Sequence, residues 1–274
     1  MLHFVKMHGL GNDYLYLLGA VPQHAPALAR LLTDRHRGIG ADGVIYITPP
    51  SAPAADFGMR IFNADGSEAL MCGNGIRCVG KYVYDRGYTD KTTLLIETPV
   101  GNRCLNLHPD ALNPTCISSV TAEMGTAIVD DTQTMNTDHG SICFIPVSVG
   151  NPHAVIFTED AEPFPDNLLA EVSSHPMFPG GVNAECADIL SPTELRMRVY
   201  ERGSGLTLAC GTGACAVCAA AVHHGYCTVD TPITVHLDGG DLTISVRSDG
   251  QILMTGEAVT VFEGTMNDPE IPYS

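Results

Sequence analysis

The chain repeats its own spacing. Met59-Arg60-Ile61-Phe62 precedes Cys72 by the same interval at which Met197-Arg198-Val199-Tyr200 precedes Cys210, 13 residues in each case (72 − 59 and 210 − 197). The register continues past the cysteines. Cys72-Gly73-Asn74-Gly75 runs to Gly87-Tyr88 and Cys210-Gly211-Thr212-Gly213 runs to Gly225-Tyr226, with Cys-to-Gly offsets of 15 in both (87 − 72 and 225 − 210). Upstream, Asn12 of Gly11-Asn12 lies 60 residues before Cys72 and Asn151 of Gly150-Asn151 lies 59 before Cys210, so one gap aligns them. Self-similarity at this length marks a duplicated supersecondary unit. The chain is therefore predicted to fold as two pseudo-symmetric domains, residues 1–125 and 126–263, with the junction in the Thr121 to Thr137 stretch.

Within each half the pattern reads strand, Gly-rich turn, helix, then hairpin strands, for example Thr93–Glu97 and Ile233–Leu237 bounded by turn glycines. The predicted class is mixed α/β, of the strand-rich α+β kind. Ala214–Val222, after Cys210, is apolar all round, as a helix is when strands enclose it on every side. Gly87 and Gly225 then fall where helix C′ caps belong.

Composition narrows the partner. An apolar fraction of 45% over 274 residues is ample for two cores. No run approaches the roughly 18 apolar residues of a membrane helix, and Met1-Leu2-His3-Phe4-Val5-Lys6 lacks a leader's apolar stretch, so a cytoplasmic location is expected. Ten cysteines scattered without export signals read as reduced thiols rather than a disulfide framework. A net charge of −17 argues against nucleic acid and anionic membrane surfaces and leaves a small molecule as the expected partner. A pyridoxal phosphate enzyme needs a Schiff-base lysine, and Lys6, Lys81 and Lys91 sit in no cofactor-like setting, so no cofactor is expected.

A thiol placed just before Gly-Asn-Gly or Gly-Thr-Gly at a helix start meets free backbone N–H groups and the positive dipole end. Both lower a thiol's pKa and cradle a carboxylate. One such site fits a thiol nucleophile. Two copies fit a cleft between the domains with a thiol on each side, which is the geometry that inverting a carbon centre demands. One thiolate removes a proton from one face and one thiol returns a proton to the other, while preorganised amides hold the developing charge.

Six segments carry a resemblance: Met7–Asp13, Phe62–Glu68, Cys72-Gly73-Asn74-Gly75 through Arg77-Cys78, Gly150-Asn151-Pro152-His153, Arg198–Gly203 and Ala209–Gly213. Together they resemble the diaminopimelate epimerase family, from one end of the chain to the other. The resemblance implies reversible conversion of L,L-diaminopimelate to the meso isomer in the making of lysine and peptidoglycan precursors. It also implies two domains that each wrap strands around a central helix, packing of the last residues 264–274 on the first domain, and a homodimer. It makes Cys72 and Cys210 the base and acid pair, without metal or pyridoxal phosphate. Gly73 with Asn74, and Gly211 with Thr212, resemble the family's cradle for the reacting carboxylate. Asn63, Asn151, Asn183 and Arg202 resemble its grip on the distal end, with Asn12 lining the pocket and Glu201 at its edge. His153 and Glu201 stand where they would tune the thiols. Arg202 makes independent sense, since a substrate with two carboxylates needs a cation that can hold one bidentately. Two positions depart from the common pattern: Gly43, where many members carry Gln, and Leu206, where many carry Glu.

Each assignment has a plainer rival. A lone cysteine before glycines is ordinarily a small buried hydrophobe; the shared register reverses that for Cys72 and Cys210. Cys215-x-x-Cys218 with His223 and His224 resembles half a zinc site, but an Ala-rich helix favours core packing. His153 reads equally as a satisfied loop histidine, and Glu201 with Arg202 as a surface ion pair. Cys78, Cys104, Cys116, Cys143, Cys186, Cys215, Cys218 and Cys227 are read as structural. Two other functions compete. One is a racemase of the same architecture acting on proline, hydroxyproline or histidine; proline-racemase-like proteins usually show His at the position of Asn74, and a monocarboxylate would not require Asn63, Asn183 and Arg202. The other is a thiol-redox or zinc-binding protein.

Overall fold

The structure is a computed structural model that describes residues 1–51, 53–158 and 166–267. The chain divides into two compact units, one formed by Met1–Ala122 with the chain from Gly256 on, the other by Glu123–Thr255.

Unit 1 opens with a hairpin of β1 (Leu2–Gly9) and β2 (Asn12–Leu18), in which Gly9 faces Asn12 across a two-residue turn. Both turn residues have positive φ, 56° at Leu10 and 83° at Gly11, the handedness that matches the twist of a two-residue hairpin. A leucine tolerates this poorly, and the side chain of Leu10 is fully buried, which holds it there. After helix α1 (Ala25–Thr33), β3 (Gly43–Thr48) pairs parallel to β2. A parallel neighbour needs a crossover connection, and α1 supplies it. Then come β4 (Phe57–Asn63), β5 (Glu68–Ala69), helix α2 (Gly73–Asp85), and the strands β6 (Thr93–Thr98), β7 (Gly101–Pro109) and β8 (Ile117–Thr126). β4 runs antiparallel to β3 and β5 and, over Phe57–Gly58, parallel to β6; β6, β7 and β8 form an antiparallel meander.

Unit 2 repeats that order. β9 (Ile128–Val129), β10 (Gln133–Thr137) and β11 (Gly140–Ser148) lead into β12 (Pro152–Thr158), helix α3 (Asp166–Ser173) and β13 (Asn183–Ser191), which pairs parallel to β12. β14 (Glu194–Glu201), β15 (Gly205–Thr207), helix α4 (Gly211–His223), β16 (Ile233–Leu237), β17 (Gly240–Val246) and β18 (Gln251–Glu257) follow. β14 is antiparallel to β13 and β15 and parallel to β16, and β16, β17 and β18 form the second meander. The last strand of the chain, Val259–Met266, pairs antiparallel with β1. Residues 256–263, which the duplicated register alone assigns to the second half, group with unit 1 because of this pairing. Residues 268–274 of the terminal segment 264–274 lie outside the described residues.

α2 and α4 are the central helices, and ten of the thirteen residues of each are buried. α2 packs on β1, β2 and β7, and α4 on β11, β12, β13 and β17. Both helices end alike. Gly87 (φ 71°) and Gly225 (φ 74°) stand at C′. Tyr88 N–H reaches Val83 O at 2.9 Å, and Tyr226 N–H reaches Ala221 O at 2.8 Å. Each ending is a Schellman motif, and its left-handed position suits glycine. α1 and α3 lie against β3, β4 and β13, β14 respectively, over separate apolar clusters that include Leu28, Leu32 and Phe62 in unit 1 and Leu169, Val172 and Phe144 in unit 2. Among the described residues no helix is long and apolar enough to cross a membrane.

Candidate active site

In unit 1, Cys72 is the N-cap of α2, held extended at φ −144°, ψ 115°. Its sulfur accepts the Gly75 N–H at 3.3 Å, the role a Ser or Asp oxygen usually fills, and its S–H donates to Asn12 Oδ1 at 3.4 Å. The amides of Gly73 and Asn74 occupy the first turn, where N–H groups have no partner within the helix. Asn74 is buried and donates to Asn12 Oδ1 at 3.5 Å, while its own Oδ1 accepts from Arg77 Nη2 at 3.0 Å. Arg77, fully buried, also donates to Gly73 O at 3.3 Å and Glu257 O at 3.3 Å. Asn12 is fixed in turn by Asp42, which accepts from its Nδ2 at 2.9 Å. Arg35 pairs with both Asp42 (2.9 Å) and Asp13 (2.7 Å), and Lys6 pairs with Asp13 at 2.8 Å. Burial raises the Asp13 carboxyl pKa, but the Arg35 and Lys6 bonds outweigh it and leave it below the ordinary carboxylate value.

The structure adds Tyr14 to this group. Asn12 and Tyr14 lie two apart on β2 and so project to one face, and the Tyr14 hydroxyl stands beside Cys72 and Asn12, its pKa pushed up by burial and then by the neighbouring sulfur. Tyr14 also accounts for Gly43. A Cβ there would meet Phe62 O at 2.6 Å and Tyr14 Cε1 at 2.7 Å, so the ring fills the space a side chain would take. Asn63, by contrast, is engaged in its own turn, donating from Nδ2 to Ser67 Oγ at 3.0 Å.

Unit 2 builds the second site on the same plan with different groups. Cys210 caps α4 at φ −123°, ψ 112°, and its sulfur accepts the Gly213 N–H at 3.3 Å. Thr212 Oγ1 lies 3.5 Å from that sulfur and accepts from Asn151 Nδ2 at 3.2 Å. His153 on β12, two residues after Asn151, contacts Asn151 Oδ1 through Nε2 at 3.1 Å and Glu185 Oε1 through Nδ1 at 2.6 Å. Glu185 is fully buried and its Oε2 finds no hydrogen-bond partner among the described residues. Glu201 accepts from Thr207 Oγ1 at 2.6 Å and faces Cys210. Its carboxyl is raised, first by burial and then, with Thr207 opposing, by the charge of Glu185. Burial also pushes the Cys210 thiol well above its usual value. Glu201 and Glu185 add to this, while Thr212 and the Gly213 N–H pull back. The depression that a helix start gives a thiol is therefore overridden at Cys210.

Asn183 Oδ1 accepts the Arg202 N–H at 2.9 Å. The Arg202 side chain is exposed, lies over Gly181, donates to Gly180 O at 3.2 Å, and lines an open cavity of about 610 Å³ with Phe178, Pro179 and Tyr200. Leu206 is exposed on β15. Cys215 and Cys218 are fully buried within α4 while His223 and His224 are exposed at its end, so these four do not converge. Each lysine is taken up by an ion pair: Lys6 as above, Lys81 with Asp85 at 2.7 Å and Lys91 with Asp56 at 2.6 Å.

The chain shares its fold with the crystal structure of a probable proline racemase from Agrobacterium radiobacter K84, with a TM-score of 0.79 at 17% identity, covering 99% of this chain and 95% of that one. The sequence profile described as Diaminopimelate epimerase matches residues 4–129 and 145–261. A diaminopimelate epimerase from Methanococcus maripaludis is 44% identical over 283 residues, covering 97% of this chain and 100% of the relative. One from Acetivibrio thermocellus is 42% identical over 287 residues, covering 98% and 100%. Fold, duplicated thiol-capped helices and relatives together define an isomerase of the epimerase class. The chain belongs to the diaminopimelate epimerase family.

Proposed function

We propose that Cys72 and Cys210 are the acid–base pair of a diaminopimelate epimerase that interconverts the L,L and meso isomers in lysine biosynthesis. One thiolate removes the Cα proton, the other sulfur delivers its proton to the opposite face, and the roles exchange in the reverse direction. The observation that carries this reading is the shared cap: in each unit a cysteine replaces the usual N-cap oxygen and takes the N3 amide at 3.3 Å, which leaves the sulfur at the mouth of a helix dipole. The first-turn amides of Gly73 and Asn74, and of Gly211 and Thr212, hold the reacting carboxylate, where charge develops as the proton leaves. Asn12 and Asn151 position those turns. Asn63, Asn183, Glu201 and Arg202 grip the distal amino and carboxylate groups, Arg202 as the cation, and His153 with Glu201 tunes Cys210. The two units are duplicated halves of one module, and the enzyme works in the cytoplasm as a homodimer, which light scattering on the purified protein would register as twice the chain mass.

The test is Cα exchange in deuterium oxide with diaminopimelate, without added pyridoxal phosphate or metal, proline and hydroxyproline serving as controls. Cys72→Ser and Cys210→Ser keep a capping atom at the helix start, so loss of exchange in each, with the fold retained by circular dichroism, supports the assignment. Exchange and inversion that survive loss of either sulfur would sink it.

A further inference from the structure

The duplication makes the two thiol sites comparable position by position, and they differ wherever charge is concerned. Five residues after the cysteine, unit 1 has Arg77 (77 − 72) and unit 2 has Cys215 (215 − 210). Nine before it stand Asn63 (72 − 63) and Glu201 (210 − 201). Strand register extends the list. Ile45 pairs with Ile61 and Glu185 with Val199, each partner 11 residues before its cysteine (72 − 61 and 210 − 199). Ile45 and Glu185 thus occupy one place, and a Cβ on the third helical residue would meet either: Ile45 Cδ1 at 2.6 Å from Gly75, Glu185 Oε1 at 2.8 Å from Gly213. Tyr14 likewise matches His153, two residues beyond Asn12 and Asn151.

Resting on the reading of Cys72 and Cys210 as the acid–base pair, we propose that these substitutions make the pair unequal before substrate binds. Arg77 acts as a positioning residue that keeps the resting negative charge on Cys72, and Glu185 with Glu201 keeps the proton on Cys210. Around Cys72 the charged groups are Arg77 from α2 and, through Asn12, the Asp42–Arg35–Asp13–Lys6 cluster; Tyr14 from β2 and the Cys78 thiol are neutral. Two carboxylates against three cations leave this site net positive; Asn12 Oδ1, which accepts the Cys72 S–H at 3.4 Å, favours the thiol but is a neutral amide, whereas Cys210 faces the Glu201 carboxylate. Arg77 also fixes the Asn74 amide, so that its Nδ2 is turned to Asn12 Oδ1. Around Cys210 stand His153 from β12, Glu185 from β13 and Glu201 from β14, with Cys215 a turn along α4. Two carboxylates, Glu185 and Glu201, against the single imidazole of His153 leave this site net negative. Like charge disfavours a second anion and unlike charge favours it, so the helix dipole common to both sites acts on two different backgrounds.

The experiment is residue-resolved alkylation of the substrate-free protein with iodoacetamide from about pH 6 to 11, reading each cysteine's peptide by mass spectrometry, a Cys210 rate still rising at the top of that range counting as a midpoint above it. A midpoint in pH reports thiolate formation independently of how accessible each sulfur is. The wild-type protein should show the Cys72 midpoint at least about one pH unit below that of Cys210; coincident or reversed midpoints overturn the proposal. Arg77→Gln should raise the Cys72 midpoint by about one unit and leave Cys210 where it was, with Arg77→Lys restoring most of the shift. The Glu185→Gln, Glu201→Gln double variant should lower the Cys210 midpoint. An unmoved midpoint in a folded variant overturns the role of the residue changed. If a variant does not fold, the wild-type comparison still decides. No substrate is present, so failure here is distinct from failure of the deuterium exchange test.

Discussion

Glycine 43 shows how a single side chain can be excluded by its neighbours. The Phe62 carbonyl and the Tyr14 ring both stand inside normal contact distance of any Cβ built there. Gly43→Gln, which restores the residue common in the family, should cost about 1–3 kcal/mol in denaturant unfolding, because the backbone oxygen cannot move aside as a flexible side chain could. A variant as stable as the parent would show that the ring yields instead. Sequence alone made Gly43 a departure from the common pattern; packing makes it a position given to Tyr14. Tyr14 was legible in principle, two residues along a strand from Asn12, but an aromatic at alternating spacing in a strand is ordinarily core. Glu185 and Arg77 were hidden for a related reason. Buried charge is rare enough that a lone Glu in an apolar strand or an Arg in a helix reads as a solvated face until its neighbours are seen.

At the scale of elements, the helices next to the cysteines were legible because the local signals agreed: a cysteine before the first turn and a C′ glycine in both, and an apolar body in α4. Gly87→Ala and Gly225→Ala should each destabilise by about 1 kcal/mol, the cost of a Cβ at left-handed φ, measured by the midpoint of chemical unfolding. No loss at either site would mean that the helix end re-forms without the Schellman bonds. The same reading missed α1 and α3. Their place follows from β2 pairing parallel to β3, and β12 to β13, and parallel partners are joined through non-local contacts that no short window of sequence displays. The last strand escaped the repeat for a similar reason. It pairs with β1, at the far end of the chain.

For the whole molecule, the duplicated spacing reached furthest, singling out the two cysteines that cap α2 and α4 and a two-unit plan, whereas the proposed inequality of the two sites required tertiary neighbours. Acid stability follows from one of those neighbourhoods. The Asp13 carboxyl lies below its unfolded value in the folded protein, so its pairing stabilises the fold above the ordinary carboxylate pKa of about 3.9 and is lost as pH falls through the folded value. Asp13→Asn should therefore be less stable than the parent at pH 6, with the gap closing below about pH 4; a gap independent of pH would contradict the ion-pair account.

The central claim, that two sulfurs work from opposite faces of one carbon, is tested most directly by early-time deuterium wash-in. Starting from L,L-diaminopimelate in deuterium oxide, the account predicts that the first meso product carries deuterium at the inverted Cα while recovered substrate remains protonated. Deuterium entering substrate and product at the same rate from the outset would contradict it, since a single base serving both faces gives that result.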